Sequence, residues 1–216
     1  MLNIIFMGTP DFARTSLEAI YQAGHRILAV VTNPDKPKGR GMKMVTSPVK
    51  EFAITHNLPV YQPDTVKNNI ELIEAMKKLQ PDIICVVAYG KILPKQILEL
   101  PTYGCINVHA SLLPKYRGAA PIQWAILNGE TQTGVTTMYM NEGMDTGDII
   151  LKETIMIDEN QTTGELWEQL SKIGGSLLVE TIKQIEANIA PRIPQGNDYT
   201  MAPMLSKEMA KIDWRT

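Results

Sequence analysis

Cysteine is scarce in this sequence: Cys85 and Cys105 are the only two among 216 residues, and both lie inside apolar runs. Two such thiols cannot build a disulfide framework, and they read as reduced core residues of a cytoplasmic protein. Histidine is almost as rare, and His25, His56 and His109 are scattered without metal-ligand spacing, so no metal is expected. No apolar run approaches the roughly 20 residues of a membrane span. The opening MLNIIFMGTPDF lacks the basic region and cleavage site of a signal peptide and reads as a first strand, so no membrane partner is expected. Excess positive charge is missing too. Against 21 Lys plus Arg stand 23 Asp plus Glu, a net charge of −2, which excludes a protein that coats nucleic acid nonspecifically. Repeats and low-complexity segments are absent, and with no long apolar surface stripe the expected state is a monomer. What remains, 44% hydrophobic and 20% charged, is the composition of one globular domain or slightly more. A chain of this length buries roughly 70% of its unfolded surface without covalent staples.

The first hundred residues alternate in period. Residues 2–7 form a short apolar run closed by Gly8, which suits a buried strand. Thr9, Pro10 and Asp11 then open a helix, with Thr9 as its expected cap, and Gly24 ends it. Strands are expected at 27–31, 82–88 and 105–109, with helices at 48–56 and 68–79. Strand and helix in alternation argue an α/β fold, a Rossmann-like, mostly parallel sheet flanked by helices. Past residue 130, strands at 135–140 and 149–157 flank a Gly- and Asp-rich loop, and a helix follows over 163–188. Beyond Ile189 the chain is punctuated by Pro and Gly.

The opening strand, glycine and helix do not form a dinucleotide site, because GTPDFA has one glycine where that fingerprint needs three. A structural turn explains it better. The informative stretch runs over residues 104–118, GCINVHASLLPKYRG. Side chains alternate along a strand, so Asn107 and His109 share one face while Ile106 and Val108 take the other. An amide donor and an imidazole then stand together at the carboxyl end of a strand, where open α/β sheets place their ligands. A lone histidine on such a strand is more often structural, and the neighbouring amide brings the two readings level. The loop NEGMDTGD at 141–148 fails the calcium-loop spacing. It reads as a solvated turn or as the source of a carboxylate reaching into a site, and spacing alone does not separate Asp145 from Glu142 or Asp148.

Residues 34–50 hold Lys36, Lys38, Arg40, Lys43 and Lys50 against one acid, Asp35. That segment carries +4 and leaves −6 on the rest of the chain, so the bulk charge averages an acidic body with a basic loop. A charge run is usually a solvated loop, yet this one is long for a connection that normally takes about two to six residues. Gly39 and Gly41 would let the backbone around Arg40 approach a phosphodiester closely, with the guanidinium forking onto phosphate or a base edge.

Taken together, MGTPDF, CVVAYGKILP, INVHASLLPKYRGAAP and NEGMDTGDI, four motifs in order along the chain, resemble the folate-dependent formyltransferases. The stretch TNPDKPKGRGMKMVTSPVK at 32–50 resembles in particular the branch that acts on initiator methionyl-tRNA; members acting on small substrates lack this basic insertion. The resemblance implies 10-formyltetrahydrofolate as formyl donor and catalytic roles for Asn107, His109 and Asp145. It implies folate contacts at Ser111, Leu112, Leu113 and Pro114, and a pterin pocket near Ala88, Tyr89, Gly90 and Ile92. It further implies that the loop with Lys36, Lys38, Arg40 and Lys43 enters the tRNA acceptor arm, Arg40 leading. On this reading residues 1–188 are the catalytic domain. Residues 189–216 are an extension toward a linker, and the C-terminal β-barrel of such proteins is absent from this chain. Affinity for tRNA is then expected to be reduced and strongly salt-dependent.

The chemistry agrees with the residue types. Formyl transfer to an amine develops a negative oxygen, and each well-placed donor to it can contribute about 3–4 kcal/mol. Asn107 and His109 can donate, while a carboxylate beside the imidazole can orient it and stabilise its cation. Rival readings are transfer to an amino sugar or glycinamide ribonucleotide, hydrolysis of the same donor, or a non-catalytic binder. The basic loop argues against a hydrolase, which has no use for it.

Overall fold

The computed structural model describes residues 1–38, 43–212 and 214. Among them the elements run β1 (Asn3–Gly8), α1 (Asp11–Gln22), β2 (Arg26–Val31), β3 (Lys36–Lys38), β4 (Lys43–Val45), α2 (Pro48–Thr55), β5 (Val60–Tyr61), α3 (Ile70–Lys78) and β6 (Ile83–Val87). There follow α4 (Lys95–Leu98), β7 (Cys105–His109), α5 (Pro121–Leu127), β8 (Gln132–Tyr139), β9 (Ile149–Met156) and α6 (Thr163–Glu186), with a 3₁₀ turn at Lys207–Ala210.

Seven strands make one sheet in the order β5-β2-β1-β6-β7-β8-β9. The first five are parallel, whereas β8 and β9 run antiparallel. The fold is therefore the expected α/β architecture with an antiparallel edge. Alternation along the central strands divides the core into two layers. Ile4, Phe6, Cys85, Val87, Ile106 and Val108 face the α1–α6 side. Ile5, Met7, Ile84, Val86 and Cys105 face the α3–α4 side. Helix α6 is held by a capping box, with Thr162 and Glu165 each accepting from the other's backbone N–H. Its buried stripe of Leu166, Leu170, Leu178, Ile182 and Ile185 contributes about 1.5–3 kcal/mol per fully buried side chain.

Several local expectations are corrected. Pro10, with extended backbone, is the N-cap of α1, and Thr9 is not. The Thr9 hydroxyl instead accepts from Asn33 Nδ2 at 3.0 Å, tying the end of β1 to the end of β2. A side chain at Gly8 would place its Cβ 2.6 Å from Ala13 Cβ and 2.7 Å from the Val87 carbonyl, so the single glycine of that motif serves helix–sheet contact. Helix α5 and the hairpin of β3 with β4 went unforeseen, because both are too short to show a period.

The strand order reverses direction between β1 and β6. Their carboxyl ends and that of β7 open onto a common crevice, where ligands bind in doubly wound sheets.

Candidate active site

The crevice holds a cavity of about 470 Å³, within the range of small-molecule sites. One wall is the turn after β6. There Ala88 (φ 45°) and Gly90 (φ 75°) swing the chain around, so that Ala88, Tyr89, Gly90 and Ile92 all face the cavity. The Tyr89 hydroxyl is buried with no hydrogen-bond partner among the described residues, and burial raises its pKa to about 12. Lys91 beside it is shifted down by desolvation.

Opposite stands the end of β7. Register continues the alternation, so Asn107 lies beside Val86 on the α3–α4 face, and both it and His109 reach the cavity. His109 is 6% exposed, and its Nε2 lies 2.8 Å from the Tyr116 carbonyl oxygen. A carbonyl only accepts, so Nε2 carries a proton, and Nδ1 is the nitrogen free to gain or lose one. Nδ1 faces the Asp145 carboxylate, with Oδ2 at 3.7 Å. The same Oδ2 accepts from the Gly118 N–H at 2.8 Å, and Oδ1 lies 3.5 Å from Asn107 Nδ2.

Asp145 arrives from the β8–β9 loop in a left-handed conformation, φ 52°, which costs a non-glycine residue on the order of 1–3 kcal/mol. Gly147 makes the loop possible: a Cβ there would lie 1.7 Å from the Tyr139 carbonyl. Glu142 is exposed, and Asp148 lies 3.9 Å from Arg192. Of the three acids that spacing left open, the fold brings Asp145 to the imidazole.

Ser111, Leu112, Leu113 and Pro114 stand outside the cavity wall. Ser111 is buried, its hydroxyl bonded to the Lys115 carbonyl at 2.6 Å, and Leu113 packs against Met138 and Ile149. The structure thus gathers Ala88–Ile92 with Asn107, His109 and Asp145, and leaves 111–114 as the turn behind them.

The basic loop starts at the cavity wall: Asn33 Nδ2 donates to the Tyr89 carbonyl at 3.0 Å, and the Lys36 charge is felt by Lys91. Lys36 lies exposed on β3, which pairs with β4. Lys38 and Lys43 occupy facing backbone positions of that hairpin, and Arg40 lies outside the described residues. The hairpin is anchored at its base. Lys50 pairs with Asp35 at 2.6 Å, and Gln62 Nε2 donates to Asp35 Oδ1 at 2.8 Å and to the Asn33 carbonyl at 2.9 Å. These donors hold the Asp35 carboxyl below its ordinary value, the Lys50 bond first.

Sequence reasoning missed Arg117, Gly118 and Gln195, which surround Asp145. Arg117 and Gly118 lie within a motif already singled out, but Gln195 carries no local signal. Residues 193–203 do not leave the domain. They lie across the 116–120 turn, with Arg117 N donating to Thr200 O and Ala202 N to Arg117 O, and Met204 reaches the cavity rim. Among the described residues no group of three His, Cys, Asp or Glu side chains could hold a metal ion, and no helix is long and apolar enough to cross a membrane.

An imidazole, an amide donor and a carboxylate converging on a cavity at the carboxyl ends of a doubly wound sheet can stabilise a developing oxyanion and move a proton, as acyl transfer requires. The chain belongs to the formyl transferase family, whose model matches residues 2–182. It is 53% identical over 216 residues to the methionyl-tRNA formyltransferase of Caldanaerobacter subterraneus subsp. tengcongensis, covering 100% of this chain and 70% of that one. To the methionyl-tRNA formyltransferase of Clostridioides difficile it is 56% identical over 214 residues, 99% of this chain and 69% of that one. Among solved structures it is similar to the N-formyltransferase from Helicobacter canadensis in complex with folinic acid and dTDP-3-aminofucose. That similarity has a TM-score of 0.70 at 26% identity and covers 93% of this chain and 71% of the other.

Proposed function

We propose that this enzyme transfers the formyl group of 10-formyltetrahydrofolate to the amino group of initiator methionyl-tRNA, making Asn107, His109 and Asp145 its catalytic residues. The observation that carries the reading is the convergence of these three side chains on one cavity, in a chain 53–56% identical to relatives of that name. The cavity suits the donor: its size is in range, and the Asn107 amide, whose contact with Asp145 is long, has a donor to spare in it. When bound, 10-formyltetrahydrofolate supplies the activated formyl carbon. Asn107 Nδ2 donates to the oxygen that becomes negative there, a contribution of about 3–4 kcal/mol. His109, its Nε2 proton held by the Tyr116 carbonyl, takes the proton of the attacking amine on Nδ1 beside the carboxylate that stabilises the cation, and returns it to the donor nitrogen as the bond from that nitrogen to the formyl carbon breaks and tetrahydrofolate leaves. Ala88, Tyr89, Gly90 and Ile92 form the wall for the ring system, and the turn 111–114 supports that pocket from behind.

The acceptor is assigned through the basic hairpin. Lys36, Lys38, Arg40 and Lys43 meet the phosphates of the acceptor arm, with Arg40 as the probe that forks onto phosphate or base. Incubation with 10-formyltetrahydrofolate and, separately, methionyl-tRNA, glycinamide ribonucleotide, an amino-sugar nucleotide or water tests this. Formylmethionyl-tRNA is the expected product, falling steeply with added salt. Formate release without acceptor, or faster formylation of a small amine, would overturn it.

A further inference from the structure

The segment after α6 reaches back to the site through one side chain. Gln195 Oε1 accepts from Arg117 Nε at 3.0 Å and from Arg117 Nη2 at 2.7 Å. Its Nε2 donates to the Asp145 carbonyl at 2.9 Å and to the Gly147 carbonyl at 2.8 Å. Both donors and both acceptor positions of the amide are used. Its orientation is unambiguous, since a guanidinium only donates and a carbonyl only accepts. Arg117 is itself 7% exposed and stacks on the Tyr199 ring, its guanidinium carbon 4.5 Å from the ring centre. Gln195 therefore joins a buried cation to the two carbonyls that flank the bend presenting the Asp145 carboxylate.

The same segment holds the other side of the pair. Tyr116 N donates to Thr200 Oγ1 at 2.8 Å, Arg117 N to Thr200 O at 2.9 Å and Ala120 N to Ala202 O at 3.0 Å. Those bonds fix the turn whose Tyr116 carbonyl holds His109 and whose Gly118 N–H holds Asp145.

We infer that Gln195 is a positioning residue for Asp145, and that residues 195–203 form a strap that makes them part of the catalytic unit; this rests on the transferase reading above. The backbone of Asp145 is left-handed, a region that Asp tolerates better than most residues but still enters at a cost, so contacts from the surroundings are needed to hold it there. Gln195 supplies two of those contacts and touches no reacting atom.

Gln195→Glu in the full chain tests this. A glutamate still accepts from Arg117, so the strap stays docked. Both N–H donors are lost, and a carboxylate oxygen now faces two carbonyls. The kcat for methionyl-tRNA formylation is expected to fall about 10- to 100-fold, the scale of a displaced catalytic group. The KM for 10-formyltetrahydrofolate should stay within about twofold, since the Ala88–Ile92 wall is untouched. The Gly118 amide, which reports the bond to Asp145 Oδ2, should shift upfield in the ¹⁵N–¹H spectrum and exchange faster with solvent. Gln195→Ala, which leaves Arg117 without its acceptor, should show the same kcat loss together with lowered stability. A merely structural role would lower the unfolding temperature without moving the Gly118 resonance or the kcat per folded molecule, and that result overturns the inference. If the parent chain transfers no formyl group to methionyl-tRNA, the transferase reading falls. The Gly118 resonance then still decides whether Gln195 holds Asp145, an unmoved resonance overturning it.

Discussion

Two regions of this molecule carry the side chains to which we assign function, and they are built in opposite ways. Around His109 and Asp145 each polar group is held from a different part of the chain: β7, the 116–120 turn, the β8–β9 loop and the strap all meet within hydrogen-bond range. The basic hairpin of β3 and β4 pairs only with itself, and a two-stranded ribbon is marginal in water by itself. Its firm points, Asp35–Lys50, Gln62 and the Thr32–Ser47 hydroxyl pair, are all at its base. The difference matches what the proposed function asks of each region. Moving a proton between Nδ1 and a substrate amine tolerates little misplacement. Meeting a phosphate chain through long cationic side chains needs charge and reach, with positions that can adjust.

Asp145→Asn should break the comparison most sharply. The side chain keeps its shape but loses the charge facing Nδ1, and kcat is expected to fall about 10²- to 10⁴-fold while the circular dichroism spectrum is unchanged. A loss under about tenfold would remove the carboxylate from the chemistry.

On the other side, Arg40→Ala should cost about 10- to 100-fold in kcat/KM for methionyl-tRNA, the worth of one good guanidinium contact. Binding of 10-formyltetrahydrofolate should be unaffected, which isothermal titration would show. Equal tRNA-dependent rates would take Arg40 out of the interface.

The smallest effect is expected at the hairpin base. Lys50→Met leaves the hairpin less tethered, and the KM for tRNA should rise about two- to threefold, as for loss of a modest ion pair. This variant also carries a pH signature. The Asp35 carboxyl is held below its ordinary 3.8 by Lys50 first and Gln62 second, so the pair stabilises the fold above that value and ceases to do so as pH falls through the lowered one. The gap in unfolding temperature between parent and Lys50→Met should therefore be present at neutral pH and close in acid. A constant gap would mean that Lys50 acts through packing alone.

Much of the scaffold was legible because its signals are local. The parallel strands β1, β2, β6 and β7, the long helices and the shared face of Asn107 and His109 follow from period, the strands and helices within a residue or two of their expected bounds, whereas the two-residue β5 was not foreseen. Short elements were not legible: α5 has seven residues and β3 three, fewer than a pattern needs. The cap of α1 was misplaced because Thr9 has a stronger claim on it from Asn33, a contact 24 residues away.

By itself the sequence determined the layered α/β core, the amide–imidazole pair at the end of β7 and the separation of an acidic body from a basic loop. Each of these is written in neighbouring residues. Only the tertiary structure decided which acid of the 141–148 loop meets His109, which nitrogen of the imidazole is free, and that residue 195 faces residue 145. Those outcomes depend on which segments the packed sheet brings within about 3 Å of one another, the reach of a hydrogen bond. Nothing in the spacing of residues 50 apart encodes that distance.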